Sequence, residues 1–273
     1  MHSLQQHSPS PLHLTLLKTS KTHQDTTQLH AFAVKTNLIQ HTSLSSRLVS
    51  LYADPEINNL RYARSVFDQI QDPSLVLHNL VIKCYVFNQQ SHEAIALFRD
   101  LLGKSLLPDN FTLPCVIKGC ARLNAVEEGK QIHGLVLKLG FGLDKFVSSS
   151  FVSLYAKCGE MGMARKAFDV MDENDLVSWN SLIDGFTDAF ELFENMLDGD
   201  VVPNDATLVS VLSAISGLAS LSKGRWVHSY MVKNGFLVHG VLGTLLIQMY
   251  SRGKEHYRKY ARETKHGDSD EFT

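Results

Sequence analysis

Asparagine occurs twice in one short apolar pattern, as Asn79 in LVLHNLVIKCY and as Asn180 in LVSWNSLIDGF. The two asparagines lie 101 residues apart. A short amide side chain carries both hydrogen-bond donors and an acceptor, so it can probe the polar edge of a ligand. Capping of a helix is the alternative, but asparagine is mildly unfavourable inside a helix and its repetition there requires a further reason. Two interpretations therefore remain open for both positions, a helix cap and a residue that recognises a ligand.

Residues that usually catalyse reactions or bind metals form no recognisable motif in this sequence. The four cysteines contain no C-x-x-C pair, which indicates small buried hydrophobic residues in a reducing compartment. His92 is followed by Ala94, whereas zinc deaminases carry H-x-E. A glycine-rich phosphate-binding loop is also missing from the sequence. These observations predict a protein that is not an enzyme and that binds no cofactor or metal.

Histidine recurs at one position of the repeated pattern, as His30, His133 and His228. A metal site would require these side chains to converge, yet each histidine belongs to its own segment of the chain. We therefore predict that each histidine packs between helices.

The overall composition indicates a folded chain without a strong charge. The chain has 273 residues, of which 44% are hydrophobic and 20% charged, and its net charge is -2. A nucleic-acid partner would have to be bound by a local patch, or by stacking and hydrogen bonds. The first acidic residue is Asp25, which suits an organellar transit peptide, but the first arginine is Arg47. No run of apolar residues is long enough to span a membrane.

Several longer segments repeat with the same offset as the two asparagines. ARSVFD at 63–68 matches ARKAFD at 164–169 with an offset of 101. GKQIHGLVLKLGF at 129–141 matches GRWVHSYMVKNGF at 224–236 with an offset of 95. A six-residue deletion after Phe186 explains the smaller offset, and a two-residue insertion within ADPEINNLRY explains an offset of 103 elsewhere. One repeating pattern with two such changes therefore covers most of the chain.

The three repeats between 75 and 175 have 35, 35 and 31 residues, and each contains two amphipathic stretches. Apolar residues between 77 and 85 recur at spacings of three and four, and the same spacing returns between 94 and 102. This is the pattern of two helices of about 12 residues with a short break between them. The sequence predicts an all-α fold, an α-solenoid superhelix of antiparallel helix-turn-helix repeats.

These motifs resemble the PLS class of plant pentatricopeptide repeat (PPR) proteins, in which a 35-residue P repeat, a long L repeat and a short S repeat alternate. The resemblance covers residues 10–253. It assigns the repeats as L 10–41, S 42–74, P 75–109, L 110–144, S 145–175, a shortened P 176–204, L 205–239 and an incomplete S 240–253. Residues 1–9 are assigned to a targeting or disordered segment, and residues 254–273 to a charged tail.

The resemblance also implies which residues contact RNA, because in this family the fifth and last residues of a repeat read one base. The implied pairs are Asn79 with Asp109 for uridine, Ser149 with Asp175 for guanosine, Asn180 with Asn204 for cytidine, and Ser46 with Ser74 for no clear base. L repeats rarely follow the code, and Pro114 and Val209 at their fifth positions cannot donate a side-chain hydrogen bond. Trp179 and Trp226 could stack on bases, but core packing is the favoured interpretation.

Two regions depart from the family pattern. The deletion after Phe186 removes a turn, so we expect 184–193 (DGFTDAFELF) to fuse into one irregular helix and to distort the groove near Asn180. The tail 254–273 is expected to be a solvated, frayed helix or disordered, and its basic residues could instead contact phosphates. The E and DYW extensions of many family members are not found, which suggests a truncated product.

The resemblance implies a sequence-specific single-stranded RNA-binding protein of an organelle. It would act in RNA editing or processing as a non-catalytic specificity factor, with editing-complex proteins supplying deaminase activity in trans. The expected location is the mitochondrion, with the chloroplast as the alternative. A helical-repeat scaffold that binds a protein partner is the alternative function.

Overall fold

The computed structural model describes residues 22–54, 59–185, 188–199, 201–238 and 240–267, with side chains as far as Glu255. The predicted terminal segment 1–9 lies outside these residues. Within them the chain is helical and contains no strand. The helices are α1 His23–Lys35, α2 Thr42–Tyr52, α3 Leu60–Asp68, α4 Leu75–Phe87, α5 Ser91–Gly103, α6 Thr112–Leu123, α7 Val126–Leu139, α8 Lys145–Lys157, α9 Met161–Asp169, α10 Leu176–Gly185, α11 Ala189–Asp198, α12 Asp205–Leu218, α13 Leu221–Lys233 and α14 Gly240–Gly267, and a 3-10 turn spans Leu38–Gln40.

The helices divide into two compact units, one ending at Ala125 and one beginning at Val126. In the first unit α4 packs against its hairpin partner α5 and also against α2 and α6. In the second unit α10 packs in the same way against α11, α8 and α12. In each unit the first helix of this repeat therefore contacts the first helices of both neighbouring repeats, as expected for helical-hairpin repeats. The all-helical repeat fold predicted from the sequence is confirmed.

The core of each unit comes from the apolar positions that the periodicity identifies. In α4 the side chains of Leu77, Val81 and Ile82 are buried, and in α8 those of Val147 and Phe151 are buried. Burial of side chains of this size contributes about 1.5–3 kcal/mol each to folding. Repetition of these contacts from one hairpin to the next stabilises each unit.

The glycine that is repeated in GKQIH and GRWVH has a packing role at both positions. A Cβ atom at Gly129 would collide with Leu154, and a Cβ atom at Gly224 would collide with Met249. Both glycines therefore allow α7 and α13, the second helices of the repeats predicted at 110–144 and 205–239, to lie close to the next helix.

The deletion after Phe186 does not fuse two helices, so that expectation is wrong. Helix α10 ends at Gly185 and α11 begins at Ala189, and the two helices pack against each other. The reason is the apolar face of α11, where Phe193 and Met196 are fully buried. A single continuous helix would carry this face away from α10 into water. Phe186 itself lies outside the described residues.

Each recurrent histidine packs against a tyrosine 22 residues later, which confirms the packing prediction. In each pair the histidine Nδ1 and the tyrosine hydroxyl share a hydrogen bond of 2.9 to 3.2 Å. The pairs are His30–Tyr52, His133–Tyr155 and His228–Tyr250. Burial lowers the pKa of His30 and His133, which keeps the rings neutral.

The two tryptophans pack against other aromatic rings. Trp179 is half-buried and meets the ring of Phe168 edge-on at 4.6 Å, which agrees with core packing. Trp226 lies parallel to Tyr230 at 6.1 Å and leaves 43% of its surface exposed. The rings of both tryptophans therefore contribute to packing, and that of Trp226 is only partly covered.

The last helix extends into the predicted tail. Helix α14 continues to Gly267, so the backbone of most of the tail is helical. None of the described helices is long and apolar enough to cross a membrane.

Candidate functional site

The first predicted pair forms a hydrogen-bonded cluster between two neighbouring repeats. Asn79 lies within α4, and its Nδ2 donates to both carboxylate oxygens of Asp109 at 3.0 and 3.1 Å. The Thr112 hydroxyl lies 2.5 Å from Asn79 Oδ1 and 2.8 Å from Asp109 Oδ1. Asp109 also accepts the backbone N–H groups of Phe111 and Thr112, so it caps the helix that follows.

This cluster sets the orientation of the Asn79 amide. A carboxylate only accepts hydrogen bonds, so Nδ2 must face Asp109 and Oδ1 must face the Thr112 hydroxyl. One N–H and one lone pair of Asn79 remain for a ligand. Burial raises the pKa of the Asp109 carboxyl, but the hydrogen bonds from Thr112, Phe111 and Asn79 outweigh it and hold the pKa below its ordinary value. Asp109 is therefore charged at neutral pH.

Ser149 and Asp175 form the corresponding pair in the second compact unit. The Ser149 hydroxyl donates to Asp175 Oδ1 at 2.9 Å, and the backbone N–H of Ser178 donates to the same oxygen at 2.8 Å. The Asp175 carboxylate again caps the next helix, and it also contacts Ser149, the fifth residue of its own repeat. Its other oxygen remains available as an acceptor.

Asn180 and Asn204 form a looser version of the first cluster. Asn180 Nδ2 donates to Asn204 Oδ1 at 3.4 Å, and the Thr207 hydroxyl donates to Asn180 Oδ1 at 2.6 Å. Asn204 also caps α12 through the backbone N–H of Thr207. Because Asn79 and Asn180 lie inside their own helices and Asp109 and Asn204 provide the caps, capping alone does not account for the two repeated asparagines.

The remaining predicted pair and the fifth positions of the L repeats make no such contact. Ser46 Oγ and Ser74 Oγ are both buried and have no hydrogen-bond partner in the part of the chain that the structure describes. The structure does not bring these two hydroxyls together. Pro114 in α6 and Val209 in α12 carry apolar side chains, as their sequence indicates.

The second residue of most repeats is an exposed apolar side chain in both compact units, which sequence reasoning missed. Val76, Phe111, Phe146, Val177 and Val241 are 56% to 72% exposed. Each precedes the fifth residue of its repeat by three positions, so the two side chains lie on the same side of a helix. The sequence carried a signal for these side chains, because an apolar residue outside the buried stripe recurs at the second position of the repeats.

The two threonines that orient the asparagines were also missed. Thr112 and Thr207 lie three residues after the last residue of a repeat, where each exchanges hydrogen bonds with the capping residue. This is the spacing of a capping box. The motifs D-x-x-T at 109–112 and N-x-x-T at 204–207 therefore carried the signal.

The cysteines and metal-ligating residues show no reactive arrangement in the described ranges. Cys84 and Cys120 are buried, Cys115 and Cys158 are half-buried, and all four are free thiols. Burial raises the pKa of the Cys84 thiol to about 11, so the thiolate that would react is disfavoured. No group of three or more potential metal ligands occurs among the described residues.

Known proteins are similar to this chain in sequence and in fold. The family model "PPR repeat" matches residues 76–106 and 146–176. Pentatricopeptide repeat-containing protein At2g33680 of Arabidopsis thaliana is 35% identical over 231 residues, which cover 82% of this chain and 32% of that protein. A second Arabidopsis relative, At3g26630, chloroplastic, is 34% identical over 282 residues, which cover 89% of this chain and 61% of that protein. The chain therefore spans between a third and three fifths of the length of these two relatives.

A solved structure shows the same arrangement of helices. It is the crystal structure of the pentatricopeptide repeat protein PPR10 in complex with an 18-nt psaJ RNA element, with a TM-score of 0.72 and 14% sequence identity. The match covers 95% of this chain and 41% of PPR10. The repeat matches, the Arabidopsis relatives and the helical-hairpin fold agree, and this chain belongs to the pentatricopeptide repeat family.

Proposed function

We propose that this chain binds single-stranded RNA and reads single bases with the clusters at Asn79, Ser149 and Asn180. The observation that supports this most strongly is the Asn79–Asp109–Thr112 cluster, because its hydrogen bonds orient an amide that keeps a donor and an acceptor for a ligand. Reading of one base per helical repeat by two or three side chains is a known mode of RNA recognition. PPR10, which has this fold, was crystallised with an RNA element.

Uridine fits the cluster at Asn79. The free N–H of Asn79 can donate to a uracil carbonyl oxygen, and the free lone pair of Oδ1 can accept the uracil N3–H. Cytosine has a lone pair at N3 in place of that N–H. The charged carboxylate of Asp109, about 3 Å from the Asn79 amide, repels that lone pair. The charge of Asp109 therefore favours uridine over cytidine.

Guanosine and cytidine fit the two clusters of the second compact unit. Guanine presents the N1–H and N2–H donors on one edge, and the free oxygen of Asp175 can accept from them. Asn204 is neutral, so the Asn180 cluster tolerates the N3 lone pair of cytosine. We infer the order uridine, guanosine, cytidine for Asn79, Ser149 and Asn180.

The exposed apolar side chains at the second positions would contact the two faces of each base. Val76 is the second residue of the repeat that contains Asn79, and Phe111 is the second residue of the next repeat. In this proposal a base read by Asn79 and Asp109 lies between these two exposed side chains. At the Asn180 cluster the residue in the place of Phe111 is Ala206, which offers little surface. Stacking on an aromatic ring contributes about 1–3 kcal/mol per base. The base at Asn180 is therefore expected to bind more weakly.

The broader role that we propose is that of a specificity factor in organellar RNA editing or processing. The clusters recognise a base but contain no nucleophile or general base placed for cleavage, so a partner protein would supply a deaminase in trans. The names of two relatives include the word chloroplastic, which supports an organelle as the location. Our expectation remains the mitochondrion with the chloroplast as the alternative, and membership of the PLS class is part of this proposal.

The test is selection of RNA by the full chain from a randomised single-stranded pool. We expect salt-sensitive binding and an enriched uridine that disappears in the double variant Asn79→Ala with Asp109→Ala. The matched control is Ser46→Ala with Ser74→Ala, which removes two hydroxyls that form no cluster and should leave the selected sequence unchanged. A chain that binds no RNA would overturn the proposal and favour the protein scaffold. An unchanged uridine would overturn the assignment of the cluster.

A further inference from the structure

An exposed aromatic ring lies between two lysines in the first compact unit. Phe87 ends α4 and is 62% exposed. The ammonium group of Lys83 lies 5.7 Å from the centre of the Phe87 ring, and that of Lys118 in α6 lies 5.5 Å from it. We call these three residues the Phe87 platform. Most of the surface of Phe87 therefore lies outside the packing of the repeat.

The platform lies on the same side of α4 as the base-reading asparagine. Asn79, Lys83 and Phe87 follow one another at four-residue intervals, which places them along one ridge of the helix. Phe87 is therefore roughly 12 Å farther along the helix axis than Asn79. A strand of RNA whose base contacts Asn79 would pass within reach of the platform.

An open cleft of about 500 Å³ gives a flat ligand access to the ring. Ser50 and Ala53 of α2 line one side of this cleft, and Lys83 and Phe87 line the other. This volume is in the range of sites that hold small organic molecules. The cleft lies between the first helix of the repeat 42–74 and that of the repeat 75–109, so one nucleotide beside the base read by Asn79 could enter it.

The charges around the cleft favour an anionic ligand. Neither Lys83 nor Lys118 forms an ion pair with a carboxylate among the residues that the structure describes. Both side chains are exposed and remain free to contact phosphate groups. The repeat that shares the cleft carries Ser46 and Ser74, whose buried hydroxyls read no base. A nucleotide bound beside the repeat 42–74 would therefore need a contact that does not depend on the identity of its base.

We propose that the Phe87 platform is a base-independent RNA subsite, in which a nucleobase stacks on the ring of Phe87 while Lys83 and Lys118 neutralise adjacent phosphates. The inference rests on the proposed RNA binding but not on the base preference of any cluster. Every base has an aromatic face, so stacking tolerates any sequence. The platform would add affinity where the first S repeat adds no specificity.

The test compares binding of the full chain to fluorescein-labelled oligouridine and oligoadenosine. We expect Phe87→Ala to weaken both RNAs by a similar factor, roughly 5- to 150-fold. Phe87→Tyr should restore binding because the ring is kept. The matched control is Leu107→Ala, which removes another exposed apolar side chain, 67% exposed, in a loop of the same unit. By contrast, Asn79→Ala with Asp109→Ala should weaken oligouridine more than oligoadenosine.

The lysines are tested by the dependence of RNA affinity on salt. Lys83→Gln with Lys118→Gln should reduce the slope of log affinity against log salt by about 1.4, since each phosphate contact of a single strand contributes about 0.7. Lys104→Gln, an exposed lysine elsewhere in the unit, serves as the control. Unchanged binding by Phe87→Ala, or no recovery by Phe87→Tyr, would overturn the stacking subsite even if the parent chain binds RNA. A parent chain that binds neither RNA would overturn both this inference and the proposed function.

Discussion

The repeat at 75–109 and the shortened repeat at 176–204 are two copies of one unit that differ in their connecting turn. Both keep a fifth-position asparagine beside the residue that caps the next repeat and beside a threonine hydroxyl. The hydrogen-bonded cluster therefore forms in spite of the deletion. Its residues come from the first helix of one repeat and from the start of the first helix of the next repeat. The cluster does not depend on the turn within the hairpin.

The two copies differ in charge along the same helix. Asp109 of the intact copy is a carboxylate, whereas Asn204 of the shortened copy is a neutral amide. Lys83 of the intact copy is replaced 101 residues later by Asp184, whose carboxylate accepts a hydrogen bond from Ser210 at 3.1 Å. The intact copy thus combines a charged last residue with a lysine that forms no ion pair among the described residues, and the shortened copy has neither.

The largest effect should come from the cores of the two hairpins. Phe98 in α5 and Phe193 in α11 occupy equivalent places and are 3% and 0% exposed. We expect Phe98→Ala and Phe193→Ala each to lower the free energy of unfolding by about 3–5 kcal/mol, because each leaves a cavity. Thermal and urea unfolding would measure this. A much smaller loss for Phe193→Ala would mean that the shortened hairpin is loosely packed and that the two copies are not equivalent.

One substitution in each copy exchanges the last residue of its proposed reading pair for that of the other copy. Asp109→Asn gives the intact copy the amide pair of the shortened one, and Asn204→Asp does the reverse. Asparagine and aspartate cap helices about equally well, so the fold should be kept. We expect Asp109→Asn to change the selected base from uridine towards cytidine, by roughly 5- to 100-fold in relative affinity.

Selection from a randomised RNA pool would measure that exchange. The control is Asp144→Asn, which changes another capping aspartate that pairs with no fifth-position asparagine. If Asp109→Asn still selects uridine, the charge of the last residue does not determine the base.

The threonines should have equal and smaller effects in the two copies. Thr112→Val and Thr207→Val keep the shape of the side chain but remove the hydroxyl that contacts Asn79 or Asn180. Each should lower the free energy of unfolding by about 1 kcal/mol, the usual contribution of one hydrogen bond. Thr→Ser at the same positions keeps the hydroxyl and serves as the control in the same unfolding experiment. Unequal losses would show that one cluster depends more on its threonine.

The smallest effect is a pH dependence found in the intact copy alone. The pKa of Asp109 lies below its ordinary value in the folded chain, so its contribution to stability is full above the unfolded pKa of about 4 and is lost as the pH falls through the folded pKa. The side chain is partly exposed, which limits this contribution to less than about 1 kcal/mol. The stability difference between the parent and Asp109→Asn should therefore shrink on acidification below pH 4. Asn204→Ala should show no such change in its difference from the parent.

The sequence predicted the repeats from periodic spacing, and the resemblance to the family implied the three residue pairs that the structure places within hydrogen-bond distance. Apolar residues at intervals of three and four identify the helices, and the constant offset brings Asn79 and Asn180 into equivalent positions. The separate helices of the shortened hairpin were not predicted. Phe193 of the second of these helices is buried against Trp226 and Tyr230 of α13, a tertiary contact that the local composition of 184–193 does not reveal.

The contacts of single hydroxyls were equally hard to predict. Ser46 and Ser74 occupy the right positions by count, but both hydroxyls are buried. Their burial depends on the packing of surrounding helices and not on spacing. Thr112 makes the opposite case, since its capping-box spacing is visible but its bond to a residue of the preceding repeat requires the folded hairpin.

The Thr112 hydroxyl has a consequence for the speed of recognition. It has one hydrogen and two acceptors within 2.8 Å, Asn79 Oδ1 and Asp109 Oδ1. Rotation about one bond can turn this hydrogen from one acceptor to the other without movement of any heavier atom. If the chain binds RNA as proposed, a base that approaches Asn79 would therefore meet a cluster that adjusts with almost no reorganisation barrier.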